Sequence, residues 1–229
     1  MIKVFIGYDP NEVRPFHVLS QSIQDLASVP VSITPVRLSQ LSRIHDRPRH
    51  PLASTEFSIS RFLVPHLSEY TGWSIFMDCD FLCLADIAEL WKQRDHRYDV
   101  MVCQHDHQPD IDTKFLGAVQ TKYGRKNWSS LMMFNNAKCR ALTPDYVNAA
   151  DGLDLHQFKW AEQVGPIPLE WNWLVDVYDR NQDAKMVHYT NGGPYFSEYA
   201  TCDYSTEWWE AYGRMNYVTQ TTDIRGTGT

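Results

Sequence analysis

Two aspartates, Asp78 and Asp80, interrupt an otherwise apolar run that extends from Ser74 to Leu84. A buried carboxylate is costly unless it is paired or bound to a metal ion, so two of them in such a run need a partner. In an extended chain, side chains two positions apart point to the same side and could converge on one cation. Oxygen ligands favour a hard cation such as Mg²⁺ or Mn²⁺. The pair therefore indicates a cation site, with a cap on a following helix or turn as the alternative.

The apolar pattern around this D-x-D pair predicts strands that alternate with helices. Such an order predicts an α/β fold with a mostly parallel sheet flanked by helices, and ligands bind at the carboxyl ends of its strands. We expect one domain over residues 1–218 and a flexible tail over 219–229, which lacks an apolar period. The predicted strands cover 3–7, 31–36, 73–77, 98–103, 131–134 and 185–189, and the predicted helices 13–26, 55–67, 87–94 and 208–215. Ser54 or Thr55 can cap the second helix, Pro65 is expected to break it, and Arg61 lies opposite its apolar residues.

Composition excludes several classes of function. The 229 residues carry a formal net charge of −7, which argues against a general nucleic-acid binder because such proteins neutralise phosphates with a basic surface. The sequence contains no apolar run of about 18 residues, so we expect no membrane span. The five cysteines are an odd number and three lie in strand-like apolar runs. We therefore expect buried free thiols and a cytoplasmic location.

Four blocks of sequence extend the pattern beyond the aspartates. They are 4–9, then 60–65 followed by the D-x-D strand, then 127–135, and finally 167–172 followed by 188–195. Together they resemble the GT-A nucleotide-sugar glycosyltransferases, particularly the retaining group that includes glycogenin and bacterial lipopolysaccharide galactosyltransferases. The resemblance implies a single, Rossmann-like GT-A domain with a mixed, mostly parallel sheet between helices.

The resemblance also implies roles for individual residues. It assigns nucleotide binding to Gly7, Tyr8, Asp9 and Arg61, the donor-sugar pocket to Asn127, Ser129, Ser130, Trp171 and Asn172, the phosphate loop to Gly192 and Gly193, and the metal to Asp78, Asp80 and His188. The family's lysine at the diphosphate is absent, so its role is unassigned or passes to a base such as Lys114, Arg125 or Lys126. The catalytic residue is unknown, and Asp154, Gln157 and Glu162 occupy the neighbourhood of the family's acidic-Gln segment.

The implied function is transfer of a sugar from a nucleoside-diphosphate sugar to an unknown acceptor, with retention. Uracil is the family's usual base, so UDP is the favoured nucleotide. A nitrogen ligand from His188 favours Mn²⁺ over Mg²⁺. The alternatives are a nucleotidyltransferase on a related fold and a non-catalytic nucleotide-sugar or carbohydrate-binding protein. A dehalogenase-type phosphatase would need a Thr or Val where Leu82 stands.

Overall fold

The computed structural model describes residues 1–48, 55–106 and 124–217, and a six-stranded sheet lies at its centre. Its strands are β1 (Ile2–Tyr8), β2 (Val31–Arg37), β3 (Trp73–Met77), β5 (Val100–Cys103), β6 (Leu131–Asn135) and β7 (Val164–Ile167). In the sheet they lie in the order β2-β1-β3-β6-β5-β7. A three-stranded sheet combines β4 (Phe81–Cys83), β8 (Trp173–Leu174) and β9 (Met186–His188) in the order β4-β9-β8.

The helices are short apart from the first and the last. They are α1 (Val13–Leu26), α2 (Val64–Leu67), α3 (Ile87–Lys92), α4 (Pro144–Ala149), α5 (Gly152–His156) and α6 (Ser205–Met215). Helix α1 packs against α6, against β4 of the small sheet and against β1 of the large sheet. The expected fold class, a mixed α/β sheet flanked by helices, is confirmed.

The central strands are buried on both faces, which explains their nearly continuous apolar sequences. All five residues of β3 and all five of β6 are buried. β3 runs parallel to β1, but β6 runs antiparallel to both β3 and β5. The carboxyl end of β3 therefore lies beside the amino end of β6, with Met77 opposite Leu131.

The segment before β3 differs from the helix predicted over 55–67 with a break at Pro65. Instead, a 3₁₀ turn (Ser60–Leu63) leads into α2, where Pro65 lies in the first turn and so breaks no helix. The predicted cap Ser54 and the 219–229 tail lie outside the described residues. Across the described ranges, no helix has the length and apolar character that a bilayer crossing requires.

Candidate functional site

Asp78, Asp80 and His188 meet where the two sheets join. Asp78 directly follows β3, Asp80 directly precedes β4, and His188 ends β9. One carboxylate or imidazole atom from each residue lies within 4.8 Å of the others. The structure thus brings together the three residues that the resemblance named for the metal.

The backbone of the aspartate pair is held by both sheets. The Asp78 N–H donates to the Ser130 carbonyl at 2.9 Å, and the Tyr189 N–H donates to the Asp80 carbonyl at 2.9 Å. The aspartates were predicted to lie on an extended strand, but they lie on a bend between β3 and β4. Their convergence therefore depends on these anchors, directly before β6 and directly after β9, and not on strand periodicity.

The His188 ring is oriented for a ligand on its Nε2 atom. Its Nδ1 lies 3.0 Å from Asn172 Oδ1, while the Asn172 amide nitrogen donates to Ser130 Oγ at 2.9 Å. Because that donation fixes which end of the amide faces the ring, Nδ1 carries the proton and Nε2 offers a lone pair. Nε2 is 3.4 Å from Asp80 Oδ1. A lone pair facing a carboxylate at this distance needs a cation or a proton between them, so the donor set fits a divalent metal.

Arg61 is buried beside Asp78 and is not on the helix surface. Its Nη1 lies 2.7 Å from Asp78 Oδ1 and donates to the Ser129 carbonyl at 2.9 Å, and its Nε donates to the Phe57 carbonyl at 3.3 Å. The guanidinium also packs against the rings of Phe57 and Phe76, 5.3 and 5.1 Å from their centroids. Arg61 thus balances the charge of Asp78, whereas its predicted contact with a nucleotide stays a prediction.

The turn before β6 carries three of the predicted donor-sugar residues. Asn127 adopts a left-handed conformation (φ +63°), and its carbonyl accepts from Ser130 Oγ at 2.7 Å and from the Asn172 amide at 3.4 Å. Ser129 shares a hydrogen bond with His156 Nδ1 at 2.7 Å. Trp171 is buried in the hydrophobic core. Asn172 is 45 residues from Asn127 and 42 residues from Ser130 in the sequence, and the fold brings the three side chains or carbonyls into hydrogen-bond contact.

The predicted nucleotide residues at the end of β1 are mostly packed. The Phe57 ring covers Gly7, where an added Cβ would lie 2.4 Å from the ring. The half-buried Tyr8 ring contacts the Arg37 guanidinium at 5.0 Å. Both Asp9 oxygens accept backbone N–H groups, from Asn11 at 2.9 Å and from Glu56 at 3.0 Å. Asp9 therefore shapes the loop at the carboxyl end of β1.

The predicted phosphate loop follows β9. Gly192 has a φ of +141°, a backbone conformation that residues with a side chain rarely adopt. An added Cβ on Gly193 would lie 2.3 Å from the Tyr195 ring. The Tyr195 hydroxyl donates to Glu12 Oε1 at 3.2 Å. This bond ties the loop after β9 to the amino end of α1.

Buried carboxylates surround the thiol between the two aspartates. Burial and then the charge of Glu12, followed by Asp80 and Asp78, raise the pKa of Cys79 well above its usual value. Cys79 is therefore a neutral thiol at pH 7. In a region so rich in negative charge, a bound cation would lower the electrostatic repulsion.

The three catalytic candidates lie on or after α5. Asp154 is paired with Lys159 Nζ at 2.6 Å, the Gln157 carbonyl accepts from the Arg125 guanidinium, and Glu162 is exposed. Their catalytic role stays a prediction. Lys114 lies outside the described residues, whereas Lys126 is buried near His156.

Two residues of the site were missed by the sequence argument. His156 bonds Ser129, and burial together with the charges of Arg61 and Lys126 lowers the pKa of its imidazole to about 3. Glu12 was missed although it directly precedes the amphipathic helix α1, a position where its buried side chain meets Cys79 and Tyr195. No pattern in the polar segment 154–157 marks His156, because its partners come from distant parts of the chain.

Comparison with known proteins identifies both a relative and a fold. Models of known protein families give no match. Protein CDI of Arabidopsis thaliana is 45% identical in an alignment 228 residues long, and 93% of this chain and 88% of that protein are covered. Among solved structures, the galactosyltransferase LgtC, in complex with donor and acceptor sugar analogues, has a TM-score of 0.59 at 11% identity, with 96% of this chain and 98% of LgtC covered.

Two further glycosyltransferase structures share the fold of this chain. The bifunctional glycosyltransferase WbbM has a TM-score of 0.61 at 15% identity over 92% of this chain, which spans only 49% of WbbM. Mouse xyloside xylosyltransferase 1 has a TM-score of 0.51 at 11% identity, with 82% of this chain and 97% of that chain covered. The chain thus has the GT-A glycosyltransferase fold and belongs to the same family as Protein CDI of Arabidopsis thaliana.

Proposed function

We propose that the protein is a metal-dependent glycosyltransferase that takes a sugar from a nucleoside-diphosphate sugar. The convergence of Asp78, Asp80 and His188 within 4.8 Å is the observation that carries the proposal. A divalent cation bound there would act as a Lewis acid that stabilises the charge on the departing diphosphate. The glycosyltransferase fold supports this reading, because LgtC was solved with donor and acceptor sugar analogues.

The residues of this chain would hold and orient the donor. Asp78 and Asp80 supply carboxylate oxygens, and His188 supplies Nε2 while its Nδ1–H is held by Asn172. Arg61 keeps the Asp78 carboxylate in place. With its atoms fixed by neighbours before substrate arrives, such a site would act mainly through positioning and electrostatics.

The finer assignments belong to the same proposal. The imidazole ligand favours Mn²⁺ over Mg²⁺. UDP and a retaining transfer are proposed from the sequence resemblance alone, and the acceptor is not identified. We propose a cytoplasmic location because all five cysteines are buried free thiols, which are usual in a reducing compartment.

Titration calorimetry of UDP in the presence of Mn²⁺, followed by an assay of UDP-sugar hydrolysis, tests the proposal. We expect Asp80→Asn to lose metal-dependent binding and hydrolysis while remaining folded. The matched control is Asp145→Asn, which removes an exposed carboxylate from α4 and should bind as the wild type does. Equal UDP affinity in Asp80→Asn and wild type would refute the metal assignment. Binding without hydrolysis or transfer would instead indicate a non-catalytic nucleotide-sugar-binding protein.

A further inference from the structure

His156 lies at the end of α5 and contacts the turn that supports the metal cluster. Asp151 caps the start of the helix, and its carboxylate accepts the Leu153 N–H at 2.7 Å. Five residues later His156 Nδ1 lies 2.7 Å from Ser129 Oγ, and its ring packs edge-on against Phe62 at 5.2 Å. The hydrogen bond and the ring contact together fix the orientation of the imidazole.

Ser129 connects His156 to the first aspartate by two routes. Its carbonyl accepts from Arg61 Nη1 at 2.9 Å, and the same nitrogen lies 2.7 Å from Asp78 Oδ1. Ser129 also precedes Ser130, whose carbonyl accepts the Asp78 N–H at 2.9 Å. A shift of the Ser129 backbone would therefore disturb both the ion pair and the backbone anchor of Asp78.

Burial, and then the charges around His156, favour a neutral ring. The cations that face it are Arg61 from the turn before α2 and Lys126 from the turn before β6. A protonated imidazole would add a third positive charge next to a buried guanidinium and would repel it from the Ser129 carbonyl. The neutral ring keeps the hydrogen bond to Ser129 without that repulsion.

We propose that His156 is a positioning residue for the D-x-D site: it fixes Ser129, and Ser129 in turn holds Arg61 against Asp78. The effect on the donor rests on the proposed function, because it requires that Asp78 binds the cation of a nucleoside diphosphate. The effect on Arg61 does not, because it concerns contacts within the protein alone. Two measurements separate these parts.

Titration calorimetry of UDP with Mn²⁺ at pH 7.5 measures the effect of His156 on donor binding. We expect His156→Ala to weaken binding about tenfold, as loss of a supporting contact behind a metal ligand does. His156→Asn should stay within about threefold of wild type, because its amide can reach the Nδ1 position. His45→Ala is the matched control, since the His45 ring, like that of His156, is bonded through Nδ1 to a side chain, Asn148 at 2.9 Å. Its affinity per folded molecule should be unchanged. Equal affinity in wild type and His156→Ala, or an equal loss in His45→Ala, would overturn the proposal.

Urea unfolding of the metal-free protein measures the coupling between His156 and Arg61. We expect the shifts in midpoint for His156→Ala and Arg61→Lys to be non-additive, because both substitutions break the same chain of contacts. Strictly additive shifts would overturn the positioning role even if UDP binds. If wild type binds no nucleoside diphosphate but the shifts are non-additive, the proposed function fails and the contact between His156 and Arg61 through Ser129 still stands.

Discussion

Acidification should destabilise this protein through His156. The folded-state pKa of this histidine is about 3 and its usual value is 6.5. Between these values the unfolded chain binds a proton that the folded protein does not, so stability falls as the pH drops below 6.5. One pH unit in this window corresponds to about 1.4 kcal/mol. From pH 7 to pH 5 the loss attributable to His156 is therefore about 2 kcal/mol.

The comparison with His156→Asn isolates this contribution. Denaturant unfolding at pH 7 and pH 5 gives the free energy of unfolding of each protein at each pH. The variant keeps a hydrogen-bonding group beside Ser129 but cannot titrate, so it should lose about 2 kcal/mol less than wild type on acidification. His45, whose pKa burial also lowers, is present in both proteins and cancels. An identical pH dependence in the two proteins would refute the claim that His156 is neutral in the folded state.

Two further substitutions probe the packing and orientation of the site. Gly7→Ala should destabilise the protein by about 1–3 kcal/mol, because the new Cβ would lie 2.4 Å from the Phe57 ring. Thermal or urea unfolding measures this change, and unchanged stability would contradict the packing of Phe57 over Gly7. Asn172→Ala removes the acceptor for His188 Nδ1 and should weaken Mn²⁺ binding about 10–100-fold in titration calorimetry; unchanged affinity would mean that the amide does not orient the ring.

The sequence was most informative where burial dictates residue type. The apolar run from Trp73 to Met77 predicted β3 with its observed bounds, because a strand buried on both faces tolerates few polar residues. The aspartates after it stood out because carboxylates are rare in such a setting. Strand β8 contains only two residues and β7 contains a glycine and a proline, so neither carries a pattern that predicts a strand.

The contacts of the candidate site depend on the fold. His188 was assigned to the metal through the resemblance, which includes the Gly-Gly-Pro turn that follows it and the D-x-D pair upstream, because a histidine alone is more often a packed residue than a ligand. A helical reading of residues 55–67 placed Arg61 opposite the apolar residues, whereas the 3₁₀ turn at Ser60–Leu63 buries it against Asp78. The bond between Ser129 and His156 joins positions 27 residues apart, so no short-range pattern could reveal it.

Metal-dependent binding of a nucleoside diphosphate tests the central claim most directly. Thermal unfolding would be measured with UDP, GDP, CDP and ADP, each with and without Mn²⁺. Because a ligand that binds only the folded state raises the unfolding temperature, we predict stabilisation by UDP that requires Mn²⁺ and disappears in Asp80→Asn. Stabilisation by a different diphosphate would change only the proposed base, and the rest of the proposal would stand. If none of the four diphosphates stabilises the protein in a metal-dependent way, the glycosyltransferase account is contradicted.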